Sequence, residues 1–352
     1  WRPLMTSPRR YALLALLPLT ALLAACGDDT STADDAPDGT AGDVSGQTIT
    51  LYSGRDEELI APIIEKFTDD TGIEVDVRYG NSAEMGAQLL EEGEDTPADV
   101  FYSQEVGAVG VLAEAGLLAS LPDELVGTVD ERFRPEGDNE WVGVTGRSRV
   151  IVYNPNLTDA PVGVEELTDP KYRGQVAIVP SNAGFQAFIT GFRASQGEDA
   201  ARTWLEGLIA NEPITDIASN GDVLEAVEAG DVAIGLINHY YWARDERQPN
   251  LTSKLVFPAG DDPGGLVNAT AAAITKGSAD NAAALALLEY LLSEEGQTFF
   301  VNETFEYPVV DGIADPAGIP PLDELDGPDL DLTDLRSIEE SQALLTELGL
   351  LS

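Results

Sequence analysis

From Thr48 to Leu118 the chain alternates β-type runs with amphipathic helical ones, and that order leaves few ways to fold. "TITLYSG" (48–54) alternates apolar and polar residues and stops at a glycine. "DEELIAPIIEKFTDDTG" (56–72) carries Leu59, Ile60, Ile63, Ile64 and Phe67 at helical spacing, with acids in its first turn. "IEVDVRYG" (73–80) predicts a strand and "SAEMGAQLLEEG" (82–93) a helix capped by Ser82. "ADVFYS" (98–103) predicts a buried strand and "VGAVGVLAEAGLL" (106–118) a helix. Strands that alternate with helices in this way predict a parallel, doubly wound α/β sheet.

A second α/β set follows a long β-rich stretch, "WVGVTGRSRVIVYN" (141–154). Strands are predicted at "QVAIVPS", "ITDIAS" and "VAIGLINHYY", and helices at "GFQAFITGFRASQG", "EDAARTWLEGLIAN" and "DVLEAVEAG". "GGLVNATAAAITKG" (264–277) reads as another strand, "NAAALALLEYLLSEEGQTFFVNE" (281–303) as one helix, and "DLRSIEESQALLTELGLL" as a last one. Two doubly wound lobes joined by two crossing strands make a clamshell. The expected division is 48–147 with 267–315 for lobe 1, and 148–266 with 316–352 for lobe 2. Ligands of open α/β sheets lie at the carboxyl ends of the strands, which here would face each other across a cleft that hinge motion closes.

Ahead of the lobes, Arg9 and Arg10 precede an apolar run from Tyr11 to Ala25. That run is short of the roughly 20 residues a membrane span needs, and it reads as a secretory signal over 1–26. Leu23-Ala24-Ala25-Cys26 resembles the bacterial lipobox, whose cysteine becomes the lipidated first residue of the mature protein. Cys26 is the sole cysteine, so no internal disulfide forms in a compartment that would allow one. Residues 27–47 have no aromatic residue and one large aliphatic, Val44, and read as a disordered acidic tether. The expected location is extracytoplasmic, with the membrane touched only through the lipid. The formal charge of −44 sets the chain against nucleic acid, whose phosphates it would repel. Scattered over a solvated surface, as in salt-adapted proteins, that charge does not locate a site.

The sharpest local feature is "INHYYWARDERQ" (237–248), where Tyr240 and Tyr241 adjoin His239, the one histidine of the chain. On spacing alone the tyrosines are either a core pair or two phenol oxygens aimed at one metal. Neighbours in a regular strand point to opposite faces, so the second reading requires the strand to end there. The following sequence turns helical, which meets that requirement.

The stretches "TLYSGRDEEL", "FTDDTGIEVDVRYG", "LLEEGEDTPADVFYSQE", "TGRSRVIVYN", "VEAGDVAIGLINHYYW" and "EYP" together resemble the periplasmic ferric-ion-binding proteins of ABC importers. The resemblance runs from about residue 48 to 309. It implies a monomeric solute-binding protein, not an enzyme, that captures Fe(III) as cargo and hands it to the permease subunits. It implies Tyr240 and Tyr241 as metal ligands. Fe(III) is hard and favours anionic oxygen, and a bound metal displaces a phenol proton normally lost near pH 10. Relatives often place His and Glu where this chain has Asp56 and Gln104, and Glu105 follows, so the resemblance implies Asp56, Gln104 or Glu105 as metal ligands from the first lobe. Asp56 either ligates or caps its helix, and Glu105 either ligates or sits in a first helical turn.

Relatives also use a synergistic anion, phosphate or carbonate. Arg147 matches a family anion contact. Ser181, Asn182, Ala183 and Gly184 stand at an expected helix start whose free N–H groups favour anions, and Asn238 either orients its loop or contacts the anion. Arg147 could equally form a salt bridge. His239 stands as a supporting donor, a ligand or a loop residue. Polyamine, thiamine or an organic phosphonate is the alternative cargo for the same fold. An enzyme would need a phosphate loop, nucleophile elbow or histidine-based set that the sequence lacks. A purely structural lipoprotein would not need the crossing strands.

Overall fold

The computed structural model describes residues 44–135, 137–328 and 330–351. The expected signal, Cys26 and the tether as far as Asp43 lie outside the described residues. Val44, at the end of that tether, packs against the first core. No described helix is long and apolar enough to cross a membrane.

β1 (Thr48–Ser53) buries Ile49, Leu51 and Tyr52, and α1 (Glu57–Thr71) lays Leu59, Ile60, Ile63, Ile64 and Phe67 over it. α1 stops at Gly72, whose φ of 73° is left-handed and whose N–H reaches back to Thr68 O. β2 (Glu74–Tyr79), α2 (Ser82–Glu92), β3 (Val100–Ser103), α3 (Val106–Glu114) and α4 (Asp123–Val126) follow. β2 and β3 flank β1 in parallel, as the alternation predicts. The cap of α2 is Asn81 rather than Ser82. Asn81 Oδ1 accepts from Ala83 N (2.9 Å), while Ser82 Oγ accepts from Gln104 N (2.9 Å) and ties two loops together.

β4 (Val142–Tyr153) is the crossing strand. Its first half, Val142–Ser148, pairs antiparallel with β8, and its second half, Arg149–Tyr153, pairs with β6. Between these come β5 (Val176–Ala177), α5 (Ala183–Gln196), α6 (Glu198–Ala210), α7 (Asn220–Ala229), β6 (Ile234–Asn238), α8 (His239–Ala243), β7 (Lys254–Val256) and β8 (Val267–Ile274). α9 (Ala282–Leu292), α10 (Glu294–Phe299) and α11 (Ile338–Glu347) complete the chain. The strand order is β2-β1-β3-β8-β4-β6-β5, with β7 also on β4.

This is the two-lobed α/β clamshell. One apolar cluster collects the residues around β1, β3 and β8, and two others cover the faces of the β4–β6–β5 half. The tail joins both sides: Leu332 and Leu335 enter the first cluster, and Leu344 and Leu345 the second.

Two expected elements differ. "ITDIAS" contributes only a single bridge, Ile214 to Ala177. The helix expected over 281–303 breaks at Ser293, whose Oγ accepts from Gly296 N (3.1 Å) and starts α10. Serine competes with the helical backbone in this way and favours caps over helix interiors. The break leads to Phe305, at φ 57°, and delivers Glu306 and Tyr307 to the crossing strands.

Candidate metal centre

β6 ends at Asn238, still extended at φ −83° and ψ 145°, and α8 opens with His239, Tyr240 and Tyr241. Helical neighbours are about 100° apart around the axis instead of on opposite faces. The two rings therefore stack, with centroids 4.7 Å apart and 29° between planes. Tyr240 is buried and Tyr241 partly buried. One turn on, the Arg244 guanidinium lies 5.5 Å from the Tyr240 ring centre and 5.0 Å from that of Tyr241. Burial pushes the Tyr241 phenol above its usual range, and the neighbouring Tyr240 adds to this while Arg244 opposes it. The Asp56 carboxylate also raises it, so the first lobe brings negative charge to this tyrosine. Asp56 occupies the cap position of α1, is exposed, and makes no capping bond with its side chain. Capping does not engage the carboxylate.

Two amides meet at the Tyr240 oxygen. Gln104 Nε2 donates to it at 3.3 Å and Asn238 Nδ2 at 3.3 Å. The other end of each amide is held by a buried arginine. Arg55 Nη1 donates to Gln104 Oε1 (2.8 Å), and Arg149 Nη1 donates to Asn238 Oδ1 (3.2 Å). Arg55 is gripped by Glu306 in a fork at 3.1 and 2.7 Å. Burial works against its charge, but Glu306, Tyr102 and Tyr240 together offset this and hold the guanidinium above its ordinary value. Arg149 has no carboxylate partner among the described residues, and burial brings it down to about 9. Its Nη2 donates to Leu236 O (2.7 Å).

Glu105 is engaged differently. It is buried against Arg147 at 3.2 Å, and burial raises its carboxyl to about 7 despite that arginine. Arg147 forms a buried rather than a surface salt bridge, and its Nη1 has no hydrogen-bond partner among the described residues. Arg147, Arg149, Gly184 and Asn238 share the wall of a cavity of about 20 Å³, room for on the order of one water. Asn182 caps α5, its Oδ1 accepting from Phe185 N (3.3 Å). Ala183 and Gly184 form the first turn beside Asn238. A Cβ on Gly184 would sit 2.9 Å from Asn238 Nδ2, so the helix start approaches the amide closely. Ser181 is exposed and does not line the cavity. The spare Arg147 N–H and the helix start suit an anion.

His239 is fully buried. Ser148 N donates to its Nδ1 (3.1 Å), so Nε2 carries the proton and donates to Phe305 O (2.9 Å). The ring lies 4.6 Å from that of Tyr307. Both nitrogens are committed to backbone, and the residue braces the crossing strand against the Phe305 turn.

Arg55, Arg149 and Glu306 escaped the sequence reading as site residues. Arg149 had a usable signal, since Arg147 and Arg149 are two apart on a strand and share a face. Arg55 sits inside "YSGRDEE", and only the fold shows that it turns inward.

A model of the bacterial extracellular solute-binding proteins matches residues 95–325. The Fe(3+)-binding periplasmic protein of Serratia marcescens is 35% identical over 312 residues, covering 87% of this chain and 91% of its own. The major ferric iron-binding protein of Neisseria meningitidis serogroup B is 31% identical, with 98% and 100% covered. The crystal structure of iron-bound HitA from Pseudomonas aeruginosa superposes with a TM-score of 0.80 at 35% identity, covering 86% of this chain and 99% of that one. The chain belongs to the bacterial extracellular solute-binding protein family, on the branch that holds the periplasmic ferric-ion-binding proteins.

Proposed function

We propose that this protein is the lipid-anchored solute-binding component of an ABC importer, capturing ferric iron between its lobes and delivering it to the permease. The observation that carries the reading is the stacked Tyr240–Tyr241 pair at a strand–helix junction, with donors and Asp56 arriving from the other lobe. Its relatives are named for ferric iron binding rather than for catalysis, and the reading assigns no catalytic residue. Lobe 1 comprises 48–147 and 267–315, and lobe 2 comprises 148–266 and 316–352. Cys26 carries the lipid, and the protein works as a monomer on the outer side of the membrane.

Tyr240 and Tyr241 hold the ion as phenolates. The metal must first displace phenol protons that burial holds tightly at Tyr241. Asp56 supplies a third anionic oxygen. A synergistic anion, phosphate or carbonate, lies against Arg147, Asn238 and the start of α5 at Asn182, Ala183 and Gly184, beside a spare guanidinium N–H. Glu105 serves the site through its hold on Arg147. Reduction or protonation weakens the phenolate bonds and releases the cargo.

The test is a ferric titration followed by visible absorbance, with and without phosphate or bicarbonate. A saturable phenolate-to-iron charge-transfer band, lost in the Tyr240→Phe/Tyr241→Phe variant, is the expected result. Full iron affinity in that variant would overturn the assignment. A folded protein with no band at all would redirect the search to a polyamine, thiamine or phosphonate.

A further inference from the structure

We infer that Gln104 does not ligate the cargo, but is a positioning donor to the Tyr240 oxygen, aimed by Arg55 and matched from the other lobe by Asn238 and Arg149. The inference rests on the ferric reading above and says how this chain prepares one of its two phenolates.

The argument turns on which end of each amide faces the tyrosine. Arginine has only donors, so the Gln104 atom 2.8 Å from Arg55 Nη1 must be the oxygen. That leaves the NH₂ group 3.3 Å from the Tyr240 hydroxyl. The same logic fixes Asn238, whose oxygen faces Arg149 and whose NH₂ faces Tyr240. Neither orientation depends on telling nitrogen from oxygen by shape. A metal ligand from Gln104 would have to be its carbonyl oxygen, and Arg55 holds that end of the amide while the NH₂ end faces the Tyr240 oxygen. Arg55 cannot easily give it up, because Glu306 locks the guanidinium in place and both are buried.

A phenol oxygen can accept two hydrogen bonds and donate one. Two amide N–H donors point at the Tyr240 oxygen, and the Tyr241 hydroxyl is its third hydrogen-bonding neighbour. Donors placed in this way suit the phenolate that a bound cation would create there. Each relay runs from a buried positive charge through a polarised amide, which strengthens the final hydrogen bond. The Asn238 relay lies within one lobe, next to Tyr240 in sequence. The Gln104 relay leaves from the end of β3 in the other lobe, so it is present only when the lobes meet.

The consequence is spectroscopic. A hydrogen bond to a phenolate lowers the energy of its donor electrons, so losing the bond moves the charge-transfer band to longer wavelength. Gln104→Met keeps the side-chain length and removes the donor. Arg55→Lys keeps a charge for Glu306 but cannot also fork to Gln104. The experiment compares ferric-loaded wild type, each single variant and the double variant, reading band position and iron dissociation rate.

The expected result is a shift to longer wavelength in Gln104→Met, the same direction of shift in Arg55→Lys, and a double variant no further shifted than Gln104→Met. Dissociation should quicken roughly tenfold in Gln104→Met, the scale of one hydrogen bond to a charged group. A wild-type band that stays in place in Gln104→Met, or shifts that simply add in the double variant, overturns the inference while leaving the ferric reading intact. Absence of a band in wild type overturns the ferric reading itself.

Discussion

The single histidine allows an unusually clean test of the hinge. His239 is fully buried, takes Ser148 N–H on Nδ1, and gives its Nε2 proton to Phe305 O. Burial lowers its pKa to about 4, and nearby Arg147 pulls the same way, against the hydrogen bonds and Glu306. An unfolded chain protonates the same ring near 6.5. Above that value both states hold a neutral imidazole and the full stability is present. As pH falls from 6.5 towards 4, the unfolded chain takes up a proton that the native state refuses, and stability drains away. The whole gap, from 6.5 to about 4, is worth about 3 kcal/mol, and about 2 kcal/mol of it is gone by pH 5. Proton NMR of the protein without a polyhistidine tag should show one imidazole Cε1–H resonance that titrates close to pH 4. Urea unfolding at pH 7 and pH 5 should show His239→Asn losing about 2 kcal/mol less than wild type over that interval. A resonance that titrates between pH 6 and 7, or equal losses in the two proteins, would refute the buried neutral brace.

Two further perturbations probe the frame behind the site. Glu306→Leu strands the Arg55 guanidinium in the core and should cost about 3–5 kcal/mol in denaturant unfolding, most of it recovered in Arg55→Met/Glu306→Leu. A single-variant cost under about 1 kcal/mol would show that the pair is not buried as described. Gly107 on α3 meets the tail so closely that a Cβ would fall 2.5 Å from Leu335 O. Gly107→Leu should cost about 1–3 kcal/mol and raise hydrogen exchange over residues 332–336, and unchanged exchange there would contradict the contact.

How far the sequence carried the reading differs by element. The βαβ order over 48–118 was legible because each run buries one face and the period of that face shows in the residues. The crossing role of β4 was visible as a long β-rich stretch, although its pairing with β8 on one half and β6 on the other needed coordinates. The short β5 and the bridge at Ile214 were not separable, since apolar runs of that length fit a strand or a buried loop equally well. At the site, Tyr240 and Tyr241 stood out and a helical pattern was readable beyond them, but the expected strand ran on through Tyr241, whereas β6 ends at Asn238 and α8 starts at His239. Asp56 and Glu105 were not distinguishable from capping residues. Only the fold shows Asp56 exposed and without a capping bond, and Glu105 closed against Arg147. Gln104 was a candidate oxygen ligand in the sequence, and only the fold shows Arg55 holding its carbonyl and its NH₂ facing Tyr240.

The same contrast explains why net charge misleads in this protein. The chain carries 63 acids against 19 lysines and arginines, which suggests a surface that would draw cations anywhere. Yet the buried charge around the cleft is largely positive: Arg55, Arg147 and Arg149 are each at most 4% exposed and converge on the Tyr240 side of the crossing strand. Two of the three have carboxylate partners, Glu306 and Glu105, while the third, Arg149, meets an amide, a carbonyl and the Phe185 ring among the described residues. Burying an uncompensated arginine is costly, and Arg149 is the one whose charge burial weakens, to about 9. An anionic oxygen would balance it, and both tyrosines already raise its pKa. The acids scattered outside therefore say little about the sign of the charge buried beside Tyr240, which is set by these arginines.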